Sequence, residues 1–105
     1  IHCFFKKKEE MFMNQMNKAE RFIKTIRLAT SLNDEEQFLE SIQKLIDYRL
    51  KTIVCPTVNQ TLFGYKYESA NKGFRTSLVR GVYQYKESRF FIVLTLNSLI
   101  LAELR

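Results

Sequence analysis

Apolar positions near the start of the chain recur at alternating spacings of four and three residues, which is the repeat of one face of an α-helix. The residues that carry this stripe are Phe12, Met16, Ala19, Ile23 and Ile26, with Phe22 and Ala29 widening it. Lysines and arginines occupy the opposite side, where Glu20 and Lys24 lie one helical turn apart and can form an ion pair. The pattern predicts an amphipathic helix over residues 6–30.

A second helical repeat follows a short link at residues 31–33. Asn33, with Glu36 three positions later, resembles a capping pair, and the neighbouring acids favour the positive end of a helix dipole. The apolar stripe that follows consists of Phe38, Leu39, Ile42, Leu45, Ile46, Leu50 and Ile53. Pro56 then forces the helix to end. Because the link is short, we expect the two helices to form an antiparallel hairpin.

Beyond Pro56 the hydrophobic period changes from helical to alternating. Phe63, Tyr65 and Tyr67 are separated by a glycine and a lysine, which predicts a strand with one aromatic face. Farther along, the pattern predicts a turn at residues 70–73, an extended segment over residues 75–86 and a hairpin turn at residues 86–89. Together these segments indicate an antiparallel sheet.

The last part of the chain is strongly apolar. Among residues 90–96 the sequence is interrupted only by Thr95, as in a strand covered on both faces, and we expect this strand to lie centrally in the sheet. Residues 98–105 fit either a short helix capped by Asn97 or the end of one continuous helix from Ser88 onward. The predicted fold class is α+β: an N-terminal antiparallel helix hairpin packed on a C-terminal antiparallel β-sheet of about three strands, with a short C-terminal helix as an open alternative.

Length and composition are those of one compact domain over residues 1–105. The chain has 105 residues, of which 46% are hydrophobic, and three glycines and one proline, which argues against intrinsic disorder. A domain of this size buries a modest core, so we expect its stability to depend in part on a partner, in a homodimer or a hetero-complex. The longest apolar run, residues 90–104, is shorter than the roughly 20 residues of a membrane-spanning helix, so we expect no membrane association.

Few side chains suit catalysis or metal binding. His2 is the only histidine, and no set of nitrogen and sulfur ligands or pair of aspartates is spaced to hold zinc or magnesium. The isolated glycines form no phosphate-binding loop. We therefore expect no metal, no small-molecule cofactor and a non-catalytic role.

The two cysteines bear on the compartment. Cys3 and Cys55 permit one disulfide, but neither lies in a paired-cysteine motif, and small disulfide-dependent domains carry more cysteines than this. Buried free thiols are therefore favoured over a bridge. This favours a reducing compartment and predicts an intracellular, cytoplasmic protein.

Acidic and basic residues are segregated along the chain. The net charge is +6, no aspartate follows Asp47, and only Glu68 and Glu87 oppose the cations between Phe63 and Phe91. Guanidinium groups bind phosphates and tyrosine rings stack on unpaired bases, so this region predicts a surface for RNA or single-stranded DNA, with an acidic protein surface as the alternative partner. The residues predicted to bind nucleic acid are Lys66, Lys72, Arg75, Arg80, Tyr85, Lys86 and Arg89. For Tyr65, Tyr67, Tyr83 and Tyr85, core packing and ligand contact both stay open, and solubility alone is an alternative explanation of the net charge.

A different function class follows from the methionines at the start of the first helix. Met11, Met13 and Met16 offer adaptable apolar area of the kind that accepts a partner helix, although such residues also fill gaps in a core. If Phe12 and Met16 face the sheet, then Met11 and Met13 point elsewhere, and we predict a protein interface there. The chain would then be a scaffold or adaptor subunit.

The expected order of a short strand at residues 1–5, a helix hairpin and three antiparallel strands resembles that of the RelE/ParE bacterial toxins. In the ribonuclease branch of that superfamily, strand arginines, lysines and tyrosines act on mRNA. The resemblance implies such a role for Arg75, Arg80, Tyr85, Lys86 and Arg89. Cations that stabilise developing charge permit cleavage of a phosphodiester without histidine. No toxin motif matches residue by residue, so a toxin-like ribonuclease is an alternative to the binding module.

Overall fold

The computed structural model describes residues 18–67 and 72–105. The described part of the first helix, α1, covers residues 18–31. The remaining elements are α2 (Glu35–Ile42), β1 (Tyr48–Thr52), β2 (Thr61–Lys66), β3 (Gly73–Gln84), β4 (Phe90–Thr95) and β5 (Leu99–Leu104). The strand predicted at residues 1–5 and part of the turn predicted at residues 70–73 lie outside the described residues.

The five strands close into a barrel in the order β1-β2-β3-β4-β5. Successive strands pair antiparallel, and β1 then pairs with β5 in parallel, with Leu50 opposite Ala102. The parallel pair is a consequence of the odd number of strands, because the first and the last strand of an up-and-down series of five run in the same direction. Closure leaves no unpaired strand edge in this sheet.

The predicted fold class is wrong, because the sheet is a closed barrel of five strands rather than a layer of three beneath a helix hairpin. The second helix ends at Ile42, and the segment that was expected to continue it forms β1 instead. Leu50 was consistent with both periods, since it lies at a helical spacing from Ile46 and also alternates with Arg49 and Lys51. Pairing with two neighbouring strands decides in favour of the strand.

The C-terminal segment is a strand, so both helical alternatives for residues 98–105 are wrong. Asn97 caps no helix. Its backbone N–H and that of Ser98 donate to the hydroxyl of Thr95, at 3.3 and 3.0 Å, and this closes a tight turn between β4 and β5. Leu99 to Ala102 are buried, as expected of a strand covered on both faces.

Two predictions about the second half are confirmed. The strand expected over residues 90–96 is β4, which is almost entirely buried, and the hairpin turn at residues 86–89 connects it to β3. The backbone N–H of Tyr85 donates to the carbonyl of Phe90 at 2.9 Å across this turn. We expected β4 to be the central strand of the sheet. In a closed barrel every strand has two neighbours, so no strand is central.

The described residues form two hydrophobic cores, one inside the barrel and one between the barrel and the helices. The buried residues of the interior are Leu50, Leu62, Val79, Phe91, Val93, Ile100 and Ala102. The buried residues of the outer core are Ala29, Phe38, Ile42, Tyr85, Phe90, Ile92, Leu99 and Leu101. Strands β4 and β5 contribute alternate residues to both cores, which explains their continuous apolar sequence.

The helices cover the outer surface of β4, β5 and the second half of β3. The buried face of helix α1 agrees only in part with the predicted stripe: Ala29 is fully buried as expected, but Ile23 is exposed and Thr25, outside the stripe, is fully buried. Phe22 approaches the barrel at Gly81, where a Cβ atom would lie 2.8 Å from the phenyl ring. The glycine therefore sets how closely α1 packs on β3.

The beginning of α2 and the entry into β1 are fixed by two aspartates. Asp34, rather than Asn33, is the N-cap, and its carboxylate accepts the N–H of Glu36 at 3.1 Å. Asp47 accepts the N–H of Leu99 through its carboxylate at 2.8 Å and donates its own N–H to the carbonyl of Leu99 at 2.7 Å. This double contact sets β1 beside β5 at the start of the parallel pair.

Candidate nucleic-acid interface

The outer surface of β1, β2 and the first half of β3 carries the chemistry of interest. Along β2, Leu62 and Gly64 are buried while Phe63 and Tyr65 alternate with them and point outward. The described residues of this surface, which we call the basic–aromatic face, are Arg49, Lys51, Phe63, Tyr65, Tyr67 and Arg75. No described helix residue belongs to the core beneath it.

The strand register brings cations to both sides of the aromatic row. Lys51 of β1 lies opposite Tyr65, and Arg75 of β3 lies opposite Phe63. The cations from β1 and the cation from β3 are far apart in sequence, and only the pairing of both strands with β2 makes them neighbours. The face is thus a row of rings with the two cations of β1 on one side and the single cation of β3 on the other.

Two rings of the row are exposed, and the third, Tyr65, is half-buried. Phe63 is 38% exposed and Tyr67 is 37% exposed, whereas aromatic side chains in strands usually pack in a core. Phe63 and Tyr65 pack edge to face, with their ring centroids 5.6 Å apart. The Phe63 ring also lies over Gly73, where an added Cβ would be 2.4 Å from it. The rings support one another on the barrel surface and leave area free for a ligand.

The cations are held beside the rings. The Arg49 guanidinium lies 4.2 Å from the centroid of the Tyr67 ring and donates to the Tyr67 hydroxyl at 3.2 Å. The Lys51 ammonium lies 4.9 Å from the same centroid. Arg75 lies 5.6 Å from the centroid of the Phe63 ring and donates to the hydroxyl of Thr61 at 3.0 Å. These contacts orient the charges without neutralising them.

One acid borders the face among the described residues. The carboxylate of Glu103 lies 3.6 Å from Nε of Arg89 and 4.0 Å from Nη2 of Arg49. The Glu103 side chain is mostly buried, and Nε of Arg49 is buried with no hydrogen-bond acceptor in the described part of the chain. Glu103 therefore offsets part of the positive charge at one edge and leaves Lys51 and Arg75 without an ion-pair partner in that part.

The structure distributes the residues predicted to bind nucleic acid over several surfaces. Arg75 belongs to the basic–aromatic face, and Arg89 borders it through Glu103. Lys72 is exposed immediately before β3. Lys66 lies on the inner side of the barrel wall, opposite Leu50 in the register. Its ammonium lies 4.5 Å from the centroid of the Tyr48 ring and 4.2 Å from that of the Phe74 ring, so it does not belong to the basic–aromatic face.

The other predicted residues lie on the helix-covered side. Tyr85 is buried, stacks on Phe38 with centroids 3.9 Å apart, and donates its hydroxyl to the carbonyl of Leu32 at 2.8 Å. Burial raises the pKa of the Tyr85 phenol above its usual value. Lys86 donates to the side-chain oxygen of Asn33 at 2.6 Å. Arg80 is exposed at a bulge in β3, next to the stretch that α1 covers.

The remaining candidates concern the termini and the cysteines. Met11 and Met13 lie outside the described residues, as does Cys3. Cys55 is exposed in the loop between β1 and β2, so the prediction of a buried thiol is wrong for this residue. The exposed position follows from the loop, which leaves the barrel wall after Thr52.

Sequence reasoning missed two cations of the face, Arg49 and Lys51, because they were assigned to a helix. Residues 48–52 read aromatic, cationic, apolar, cationic, β-branched, which is the alternation of a half-buried strand. That signal was present but was outweighed by the helical spacing of the apolar residues around it. Phe63 was noted as part of the aromatic strand but was not proposed as a ligand contact.

Comparisons with known proteins identify no relative. No family model matches the chain, and neither a curated protein nor a solved structure matches it. Within residues 18–67 and 72–105, no helix combines the length and the apolar composition needed to cross a membrane. Over the same ranges, no three His, Cys, Asp or Glu side chains are grouped so that they could hold a metal ion.

Proposed function

We propose that the protein is a non-catalytic module that binds nucleic acid through the basic–aromatic face. The observation that carries the proposal is the row of rings flanked by cations, in which Phe63 beside Arg75 is exposed and Tyr65 beside Lys51 is half-buried. Guanidinium and ammonium groups bind phosphates, and aromatic rings stack on bases. A nucleic acid is the polymer that offers both groups together.

The exposed rings favour nucleic acid over an acidic protein surface. A carboxylate-rich partner would be attracted by Lys51 and Arg75 but would gain little from stacking on Phe63 or Tyr67. Exposed aromatic rings are unfavourable in water, and a ligand with flat apolar faces would cover them on binding. A cytoplasmic place of action belongs to the same proposal, because RNA is abundant there.

Binding is proposed rather than cleavage because the barrel removes the basis of the toxin resemblance. That resemblance rested on a helix hairpin followed by three strands, whereas residues 48–105 form a closed barrel of five strands in their described part. Of the residues that it implied, Tyr85 is in the outer core and Lys86 contacts Asn33 beside the helices. They do not form one site with Arg75.

The test is a titration of short single-stranded RNA and DNA across a salt series, with the RNA inspected on a gel afterwards. The variant Lys51→Ala/Arg75→Ala should bind at least about tenfold more weakly at low salt, and its salt slope should fall by about 1.4, at about 0.7 for each lost phosphate contact of a single strand. The control Lys24→Ala/Lys44→Ala removes the same charge from exposed positions on the helix side. Equal losses in both variants, or no binding of the parent protein, would contradict the proposal, and cleaved RNA would favour the ribonuclease.

A polyglutamate titration separates the acidic-protein alternative. Removal of the rings in Phe63→Ala/Tyr67→Ala should weaken oligonucleotide binding and leave any polyglutamate binding unchanged. If the same variant binds both polymers as the parent does, the rings take no part and the face is a general anion surface. Circular dichroism and the unfolding midpoint should be recorded for each variant to exclude a change of fold.

A further inference from the structure

The spacing of the rings restricts which form of nucleic acid the face can take; this inference rests on the proposed function. Alternate residues of a strand lie about 6.8 Å apart on the same side, from a rise of about 3.4 Å per residue. The neighbouring rings of Phe63 and Tyr65 have centroids 5.6 Å apart. Successive bases of a duplex are only about 3.4 Å apart along each strand, and their faces are covered by the adjacent bases. A duplex therefore cannot put one base on each ring.

The cations repeat together with the rings. Arg75 accompanies Phe63, and Arg49 accompanies Tyr67 with its guanidinium 4.2 Å from the ring centroid. Lys51 lies opposite Tyr65 in the register and reaches to 4.9 Å from the centroid of the Tyr67 ring. Each of the three rings therefore has a cation beside it, from β3 at Phe63 and from β1 at Tyr65 and Tyr67. A nucleotide likewise consists of one base and one phosphate.

The row is short. Thr61 occupies the next outward position of β2 before Phe63, and its side chain has no ring. Tyr67 carries the third ring, directly after the end of β2. The hydroxyl of Thr61 accepts a hydrogen bond from Arg75, which ties the cation to this end of the row. The described face therefore offers three ring-and-cation units.

We infer that the face binds a stretched single strand of three unstacked nucleotides, one base on each of Phe63, Tyr65 and Tyr67, with the phosphates beside Arg75, Lys51 and Arg49. Stretching separates the bases to the spacing of the rings. Each base then loses its stacking on adjacent bases and stacks on an aromatic side chain instead. Stacking is tolerant of base identity, and the cations contact only the backbone, so the site discriminates weakly among sequences. The ligand is defined by its single-stranded state and its length.

The test uses oligouridylates of one to eight nucleotides and the corresponding deoxyuridylates, at one low salt concentration. Each of the first three nucleotides should raise the affinity by about fivefold or more, and further nucleotides should add only the statistical gain from additional registers. A trinucleotide with an abasic central position should bind roughly five- to 150-fold more weakly than the intact one. If the affinities of the ribo- and deoxyribo-oligonucleotides change in the same way with length, the site binds single strands of either kind. A difference in affinity between the two series would indicate contacts to the 2′-hydroxyl.

Two variants of one residue separate stacking from apolar contact. Phe63→Tyr keeps a ring, so affinity should still rise steeply with oligonucleotide length up to three nucleotides. Phe63→Leu keeps apolar area without a ring, so the steep rise should end at two nucleotides. Both substitutions lie at an exposed position, so neither should alter the fold.

The outcomes distinguish this inference from the proposed function. Salt-sensitive binding with a smooth rise over all lengths, or equal affinity for a duplex of eight base pairs, would overturn the stretched strand and leave nucleic-acid binding in place. An unchanged length profile in Phe63→Leu would also overturn it. No binding of any oligonucleotide at low salt would overturn both.

Discussion

The outer surface of the barrel has two sides that share one strand pattern but differ in what covers them. On the helix-covered side, Ile92 of β4 and Leu101 of β5 point outward and are buried beneath α1 and α2. On the open side, Phe63 and Tyr65 of β2 also point outward, and their neighbours are cations and solvent. Alternation of side chains thus specifies two faces of a strand, while the neighbouring elements decide whether the outward face is core or binding surface.

Two tyrosines show the same difference between the helix-covered side and the open side. Tyr85 lies under the helices, where its ring stacks on Phe38 and its hydroxyl donates to the carbonyl of Leu32. Tyr67 lies on the open side, where its hydroxyl accepts a hydrogen bond from Arg49 and its ring borders two cations. The first arrangement satisfies the phenol inside a core, and the second leaves the tyrosine side chain exposed on the barrel surface.

The largest expected contrast comes from two phenylalanines. Phe38→Ala should lower the free energy of unfolding by about 3–5 kcal/mol, because Phe38 is fully buried between α2 and the barrel. Phe63→Ala should lower it by less than about 1 kcal/mol and should instead weaken oligonucleotide binding. Urea unfolding and binding titrations measure the two quantities. Comparable destabilisation in both variants would mean that the open side is also structural.

A smaller contrast is expected from two glycines that face aromatic rings. Gly81→Ala should cost about 1–3 kcal/mol, because the new Cβ would lie 2.8 Å from the Phe22 ring, which is confined between α1 and β3. Gly73→Ala places a Cβ even closer to the Phe63 ring, at 2.4 Å, but that ring is exposed and can swing into solvent. Thermal unfolding of both variants should therefore show a clear loss for the first and a minor one for the second. The opposite order would show that Phe63 is the more tightly held ring.

The pH dependence of stability should report the buried phenol on the helix side. Because burial raises the pKa of Tyr85 in the folded protein, its stabilising contribution is complete below the unfolded pKa of about 10 and is lost as the pH rises through the folded pKa. Tyr85→Phe should cost about 0.5–1.5 kcal/mol at neutral pH, through loss of the hydrogen bond to Leu32, and should flatten the decline above pH 10. Urea unfolding between pH 8 and pH 11, in the parent and the variant, measures both effects. Parallel declines would show that other groups dominate the alkaline limb.

The smallest expected effect on stability lies at the edge of the open side. Glu103→Gln removes the mostly buried carboxylate that lies 3.6 Å from Arg89, an exposed side chain, and 4.0 Å from Arg49. Because both distances are long for ion pairs, we expect a loss of about 0–1 kcal/mol. Oligonucleotide affinity at low salt should rise, because two cations lose their internal counter-charge. The increase should vanish at high salt. A decrease in affinity would instead indicate that Glu103 holds Arg49 in its binding position.

Local patterns were sufficient for some elements and misleading for others. The aromatic strand at Phe63 follows from period-two patterning, the hairpin turn from turn residues at 86–89, and β4 from a continuous apolar run. Strand β1 and the last strand were mistaken for helix because their apolar residues also fit a helical spacing. Their true partners are each other, about fifty residues apart in sequence, as the pairing of Tyr48 with Ile100 shows.

The sequence likewise identified only part of the candidate site. Composition alone identified a basic, aromatic second half, and Arg75 emerged from it as a member of the face. Tyr85 and Lys86 come from the same stretch of sequence but belong to the helix-covered side. Arg49 and Lys51 come from the first half and complete the face.

The amino-acid sequence by itself determined the helix over residues 18–31, the alternation along β2, the burial of β4 and the concentration of cations among aromatic residues, because each of these depends on neighbours only a few residues away. The tertiary structure decided the closure of the barrel, the side that the helices cover, and the meeting of Arg49, Lys51 and Arg75 around one aromatic row. The physical reason is that the outward face of a strand becomes core or surface according to the long-range packing of other elements against it, and no local pattern encodes that choice.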